Sequence, residues 1–195
     1  MTTTFAVESI SPTRAFLTAH SLTFLTVCLV AVTVVRLGFG AETPAMAAFV
    51  FGGVLLAVID WKVRRLPRVI VYRTMAAVAA GLVFAAIVEG TWTPLLTAAL
   101  GAVAFANVFF SVWFLTTRFA GMRLIGFGDI RLAALLGLVL GWYGPSVLVA
   151  GAAAGHLIAL AVATVTCVRR GRLQLDHAFG PPLLAGALLT ILVLG

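Results

Sequence analysis

The chain has 195 residues, of which 63% are hydrophobic and 10% charged, with a mean hydropathy of +1.17. Soluble domains average about 45–50% apolar and about 25% charged, so this composition excludes a soluble enzyme, a disordered chain and a disulfide scaffold. Thirteen Lys and Arg against six Asp and Glu give a net charge of +7, and because these charges cluster between apolar runs they read as a topology signal, not as nucleic-acid recognition.

One membrane-spanning helix needs about 20 apolar residues. In chain order the apolar runs are 16–37, 44–60, 68–88, 93–116, 129–143, 146–168 and 178–195. They predict an all-α, polytopic membrane helix bundle of seven transmembrane helices. The second and last runs are short, and 129–143 is the shortest; such a segment thins the bilayer locally or packs inside the bundle. The first run has a competing reading: Arg14, the apolar stretch 21–35 and the small residues around Ala45–Ala48 mimic a secretory signal peptide. An uncleaved anchor is the simpler reading. No extramembrane loop exceeds about a dozen residues, so any chemistry falls in the bundle or at its faces.

The basic residues orient the spans. Arg14 precedes the first; Lys62, Arg64, Arg65, Arg68 and Arg73 follow the second; Arg118, Arg123 and Arg131 follow the fourth; Arg169, Arg170 and Arg172 follow the sixth. With the N-terminus cytoplasmic, twelve of thirteen basic residues lie inside and only Arg36 outside. Trp61 and Trp113 then fall at inner ends of spans and Trp92 and Trp142 at outer ends, with Tyr72 and Tyr143 near boundaries, as interfacial aromatics do.

The six acids divide into two sets. Glu8, Glu42, Glu89 and Asp176 fall in tails or loops and read as solvated. Asp60 ends the apolar run Val54–Ile59, and Asp129 follows Gly126-Phe127-Gly128 and opens another run. Acids at membrane depth are costly and point to function. The plain structural accounts are a salt bridge from Asp60 to Lys62 or Arg64 and a helix N-cap for Asp129. As a pair they suggest more. Two adjacent carboxyls share one proton, so one activates water while the other polarises a carbonyl, and the two titrate as a unit. Gly126 and Gly128 leave the backbone free for unusual dihedrals and close approach. The segment is not a phosphate loop, because no Gly-Lys-Ser/Thr follows and no strand precedes it.

These residues resemble the prepilin peptidases, the type IV prepilin leader peptidases that include the preflagellin peptidases. Gly126-Phe127-Gly128-Asp129-Ile130-Arg131-Leu132, continuing through Gly137 to Gly141-Trp142, resembles the family's Gly-x-Gly-Asp-x-Lys-Leu and its small-residue helix. Asp60, five residues, then Leu66-Pro67 resembles Asp-x5-Ile-Pro-Asn, and Phe179-Gly180-Pro181 resembles Pro-Phe-Gly-Pro. The compact form is similar to the small peptidases of Tad/Flp-type pilus systems.

The resemblance implies a membrane-embedded aspartic endopeptidase with Asp60 and Asp129 as the catalytic pair, needing no metal or cofactor. It implies a prepilin or pseudopilin substrate whose short leader is removed at the cytoplasmic face of the inner membrane. Gly126, Gly128, Arg131, Pro67, Arg68, Phe179, Gly180 and Pro181 are the implied site-shaping residues. Residues 1–43 read as a tail and an added helix, and residues 44–195 as a six-helix core. Arg68 stands where the family often has Asn, Arg131 where it has Lys, and Ala178 where it has Pro. Arg68 and Arg131 are expected to steady the acid-bearing loops or to bind lipid phosphate, and the basic face to favour anionic headgroups. The larger members' cysteine-containing insertion is not present, so N-methyl transfer is not implied. Two other classes stay open: a non-catalytic assembly protein of pilus or secretion systems, and a small transporter using Asp60, Asp129 and His156 as ion ligands.

Three further features have bland readings. Cys28 and Cys167 fall at different depths, which argues against a disulfide. His156, His20 and His177 read as packed or interfacial side chains. The Gly137-x3-Gly141 and Gly151-x3-Gly155 patterns are expected to pack helices within the bundle.

Overall fold

The computed structural model describes residues 26–36, 38–63, 66–119, 121, 125–170 and 179–195, with Arg170 described as backbone only. The expectations that concern Glu8, Arg14, His20, Arg64, Arg65, Arg123, Arg172, Asp176, His177 and Ala178 lie outside those residues. The described residues form α1 (Thr26–Arg36), α2 (Thr43–Val63), α3 (Arg68–Glu89), α4 (Thr93–Phe119), α5 (Phe127–Trp142), α6 (Pro145–Arg170) and α7 (Gly180–Leu194). No strand occurs among them. The fold is an all-α membrane helix bundle, and α2 to α7 match six of the predicted runs to within a few residues at each end. Of the first run, 16–37, only Thr26–Arg36 is described.

The helix ends have local causes. Pro67 caps the start of α3 in an extended conformation, with its carbonyl accepting the Ile70 and Val71 N–H groups. Gly90 ends the same helix at φ 66°, a left-handed conformation that favours glycine. Short connections at 90–92 and 143–144 force antiparallel neighbours. The C-termini of α2, α4 and α6 therefore share one end of the bundle with the N-termini of α3, α5 and α7. That end carries Lys62, Arg68, Arg73, Arg118, Arg131 and Arg169.

Four helices, α2, α3, α4 and α6, are long and apolar enough to cross a membrane. At 1.5 Å per residue, α5 is about 24 Å long and α7 about 22 Å, shorter than a hydrocarbon core of about 30 Å. For α5 the reason is its place in the bundle. Every residue from Leu135 to Trp142 is buried, and the helix packs against α3, α4, α6 and α7. The shortest run is thus the central helix. Trp142 ends α5, as expected of it, but its side chain is buried in the bundle, whereas Trp61 and Trp92 are exposed at helix ends.

Small residues set the pairings, because apolar helices in lipid gain from close backbone approach and not from hiding surface from water. A Cβ on Gly137 would meet the Gly101 carbonyl, and one on Gly141 would lie 2.6 Å from the Thr97 oxygen, which locks α5 to α4. Gly155 and Gly186 meet backbone to backbone between α6 and α7. A Cβ on Gly81 would come within 2.9 Å of Ala45, at the contact of α2 with α3. Both Gly-x3-Gly patterns lie inside the bundle, as expected. Gly137→Ala should separate α4 from α5 and cost about 1–3 kcal/mol, read as a lowered thermal midpoint in detergent.

Candidate active site

Asp60 sits in the last turn of α2, after an apolar run that holds it inside the bundle, and it is 5% exposed. Its Oδ2 accepts the Gly180 N–H at 3.0 Å, across 120 positions of sequence. The local chemistry of α7 explains this partner. Gly180 is followed by Pro181 and Pro182, which have no N–H. Gly180 therefore supplies a free donor in the first turn of α7, at the positive end of the helix. A Cβ on Gly180 would lie 2.7 Å from that same oxygen, so glycine is required by the close approach. Asp60 is thus held by a backbone N–H, and among the described residues no salt bridge to Lys62 accompanies it.

Asp129 lies in the first turn of α5 and is half-buried. Gly126 is the N-cap and Asp129 the third helical residue, not the N-cap itself. The Asp129 carboxyl accepts the Gly126 N–H at 3.0 Å, and the Gly126 carbonyl accepts the Asp129 N–H at 3.1 Å. This is the acid half of a capping box, and glycine has no side chain to supply the other half. Gly126 has φ −90°, an ordinary extended value, and Gly128 is helical. The unusual dihedrals expected of these glycines are not found. Gly128 matters through close approach: a Cβ there would lie 3.1 Å from that of Leu66.

The two carboxyls come from opposite halves of the chain and stand at the same end of the bundle, Asp60 in the last turn of α2 and Asp129 in the first turn of α5. Leu132, one turn after Asp129, is buried against the same point where Gly180 meets Asp60. The remaining site-shaping candidates surround this pair unevenly. Pro67 starts α3 and Arg68 follows it, exposed. Phe179 is the N-cap of α7 and partly exposed. Arg131 turns away: its Nε–H donates to Tyr72 Oη at 3.0 Å, and its guanidinium lies 5.6 Å from the Tyr72 ring centroid. In the sequence Tyr72 stands only as a boundary aromatic, and no local pattern marks it as the partner of Arg131.

An apolar groove of about 410 Å³ runs between α2 and α7, lined by Leu29, Val50, Val54, Leu184, Ala185 and Leu188 among others. Ala57, about one turn before Asp60, and Pro181, next to Gly180, close it at the acid end. A smaller hollow continues from there to Trp61 and Lys62. His156 is elsewhere: Nδ1 hydrogen-bonds the Ala152 carbonyl at 2.7 Å, and the ring packs on Phe105 and Phe109 of α4. Cys28 and Cys167 are both free thiols.

Gly180→Ala should push the Asp60 carboxyl off its donor and leave it buried without that bond. The expected cost is about 1–3 kcal/mol, measured by thermal unfolding against the parent chain.

The sequence profile of the type IV leader peptidase family matches residues 46–168. That stretch contains Asp60, Pro67 and Gly126 to Arg131, and ends before Phe179. A prepilin leader peptidase/N-methyltransferase of Burkholderia pseudomallei (strain 1026b) is 35% identical over 158 residues, covering 78% of this chain and 48% of the relative. A protein of the same name from Pectobacterium carotovorum subsp. carotovorum is 34% identical over 148 residues, covering 72% of this chain and 48% of the relative. The chain spans about half the length of these curated relatives. No solved structure gives a significant match. The profile covers well over half of the chain, and its span takes in both buried-end acids and the glycine-flanked turn: the chain belongs to the type IV leader peptidase family.

Proposed function

We propose that the chain is a membrane-embedded aspartic endopeptidase that removes the leader of type IV prepilins or pseudopilins, with Asp60 and Asp129 as its reacting pair. The observation that carries this reading is that two carboxyls stand at one end of the bundle, in the last turn of α2 and the first turn of α5, each tethered by one glycine N–H. The family match and the names of the relatives support the reaction class.

The chemistry follows from the pair sharing one proton. The ionised carboxyl takes a proton from water as the water oxygen bonds to the scissile carbonyl carbon. The protonated carboxyl gives its proton to the carbonyl oxygen. The resulting tetrahedral adduct collapses, the C–N bond breaks, and the leaving amine takes the proton held by the first carboxyl. The second carboxyl recovers its proton from the adduct's hydroxyl. Neither step needs a metal or a covalent enzyme intermediate.

The substrate's apolar helix fits the groove between α2 and α7, because that groove ends at Ala57 and Pro181 beside Asp60. Basic residues at the same end support a cytoplasmic active site in the inner membrane, the N-terminus inside and anionic headgroups nearby. The profile match begins at residue 46, near the start of α2. That supports reading residues 44–195 as the peptidase core and 1–43 as an addition.

Asp60→Asn and Asp129→Asn keep the side-chain shape but cannot carry the shared proton. Each should lower processing of a co-expressed prepilin by about a hundredfold or more; near-parent cleavage by either would falsify the pairing. Ala185→Phe should fill the groove and raise KM severalfold for an intact prepilin. A short leader peptide without the apolar helix should be cleaved as by the parent chain.

A further inference from the structure

The bonds that cap α5 fix Asp129 relative to its own helix, since both run between Asp129 and Gly126. They do not fix it relative to Asp60. That relation depends on how the first turns of α5 are held against the rest of the bundle. One contact there is the packing of Leu66 on Gly128. Another is directional. Arg131 reaches α3, donating from Nε to Tyr72 Oη at 3.0 Å and lying over the ring at 5.6 Å. Arg131 is two residues beyond Asp129, about 200° around the helix. It therefore grips the back of the turn whose front carries the acid. Tyr72 in turn stands on the second turn of α3, the helix that follows α2, and so Asp60, after the short connection 64–67. The pair ties the start of α5, which carries Asp129, to the helix that follows α2, which carries Asp60.

We propose that Tyr72 is a positioning residue for Asp129, acting through Arg131; this rests on the reading of Asp129 as one of the reacting carboxyls. The contact uses two features of arginine that lysine lacks, a donor at Nε and a planar guanidinium that stacks on an aromatic face. Arg131 and Tyr72 are thus one unit, and a charge alone at 131 does not replace it. Small displacements of a reacting group cost large factors in rate, so the effect of losing the unit falls on turnover.

The test is prepilin processing by the full chain in detergent or liposomes. Tyr72→Phe keeps the stacking and loses the hydrogen bond, so kcat should fall about threefold with KM within about twofold of the parent. Tyr72→Ala loses both contacts and should fall about tenfold or more, with Tyr72→Phe as the partial rescue. Arg131→Lys should resemble Tyr72→Ala. The double variant Tyr72→Ala with Arg131→Lys should be no slower than the worse single change. If Tyr72→Ala does not fold, Tyr72→Phe alone and combined with Arg131→Lys carries the same comparison. Unchanged kcat in both Tyr72 variants, losses confined to KM, or losses that multiply in the double variant overturn the proposal. Asp129→Asn, run alongside, separates the two readings. If it still cleaves, the assignment of Asp129 fails and Tyr72 loses its role with it. If it is inactive while the Tyr72 variants turn over normally, only the role of Tyr72 fails.

Discussion

A carboxyl inside an apolar bundle must find a donor, and Asp60 finds it in one backbone N–H from the far end of the chain. That requirement orders much of the structure. The N-terminus of α7 has to reach the end of α2, which only a glycine at position 180 permits. Pro181 and Pro182 then leave α7 short of competing donors in its first turn and set its starting direction. The same arrangement shapes the apolar groove between α2 and α7, since Pro181 forms its end. Burial, donor and groove are thus consequences of one contact.

The contact is reached by stacking helices at very short range. Gly137 and Gly141 let α5 lie against α4, and Gly155 with Gly186 brings α7 against α6. With α6 and α7 joined in this way, the start of α7 is carried to the centre of the bundle, where α5 ends its exposed first turn and becomes buried. The shortness of α5 follows from the same geometry. Surrounded by four helices, it is shielded by protein from Leu135 to Trp142 and does not have to match the bilayer by itself.

Charge is distributed to suit this interior. Asp60 and Asp129 are held by neutral N–H groups, while among the described residues of the same end Lys62, Arg68, Arg73, Arg118 and Arg169 are exposed and Arg131 pairs with an aromatic hydroxyl. Neutral donors restrain a carboxyl without fixing its charge state as strongly as a cation does. An acid held this way keeps the freedom to gain or lose a proton, which the proposed hydrolysis requires.

Much of this architecture is legible in the sequence, and the legible part is local. Hydropathy alone marks α2 to α7, because lipid demands about 20 apolar residues in a helix whose backbone groups are satisfied internally. Asp60 and Asp129 stand out because acids at the ends of apolar runs are scarce, and the glycines around Asp129 draw attention to its turn. The rest was decided by packing. These helices are apolar on nearly every side, so no periodicity says which face turns inward; hence Trp142 reads as a span-end aromatic but its side chain is buried in protein, and of the two readings open for the shortest run only packing shows that α5 is the core. The partners of Asp60 and Arg131 lie 120 and 59 positions away. No local pattern encodes such pairings, which arise only when glycine contacts set the helices side by side. The sequence by itself determined the helices, the membrane setting and the two acids; the tertiary structure alone decided what holds each acid in place.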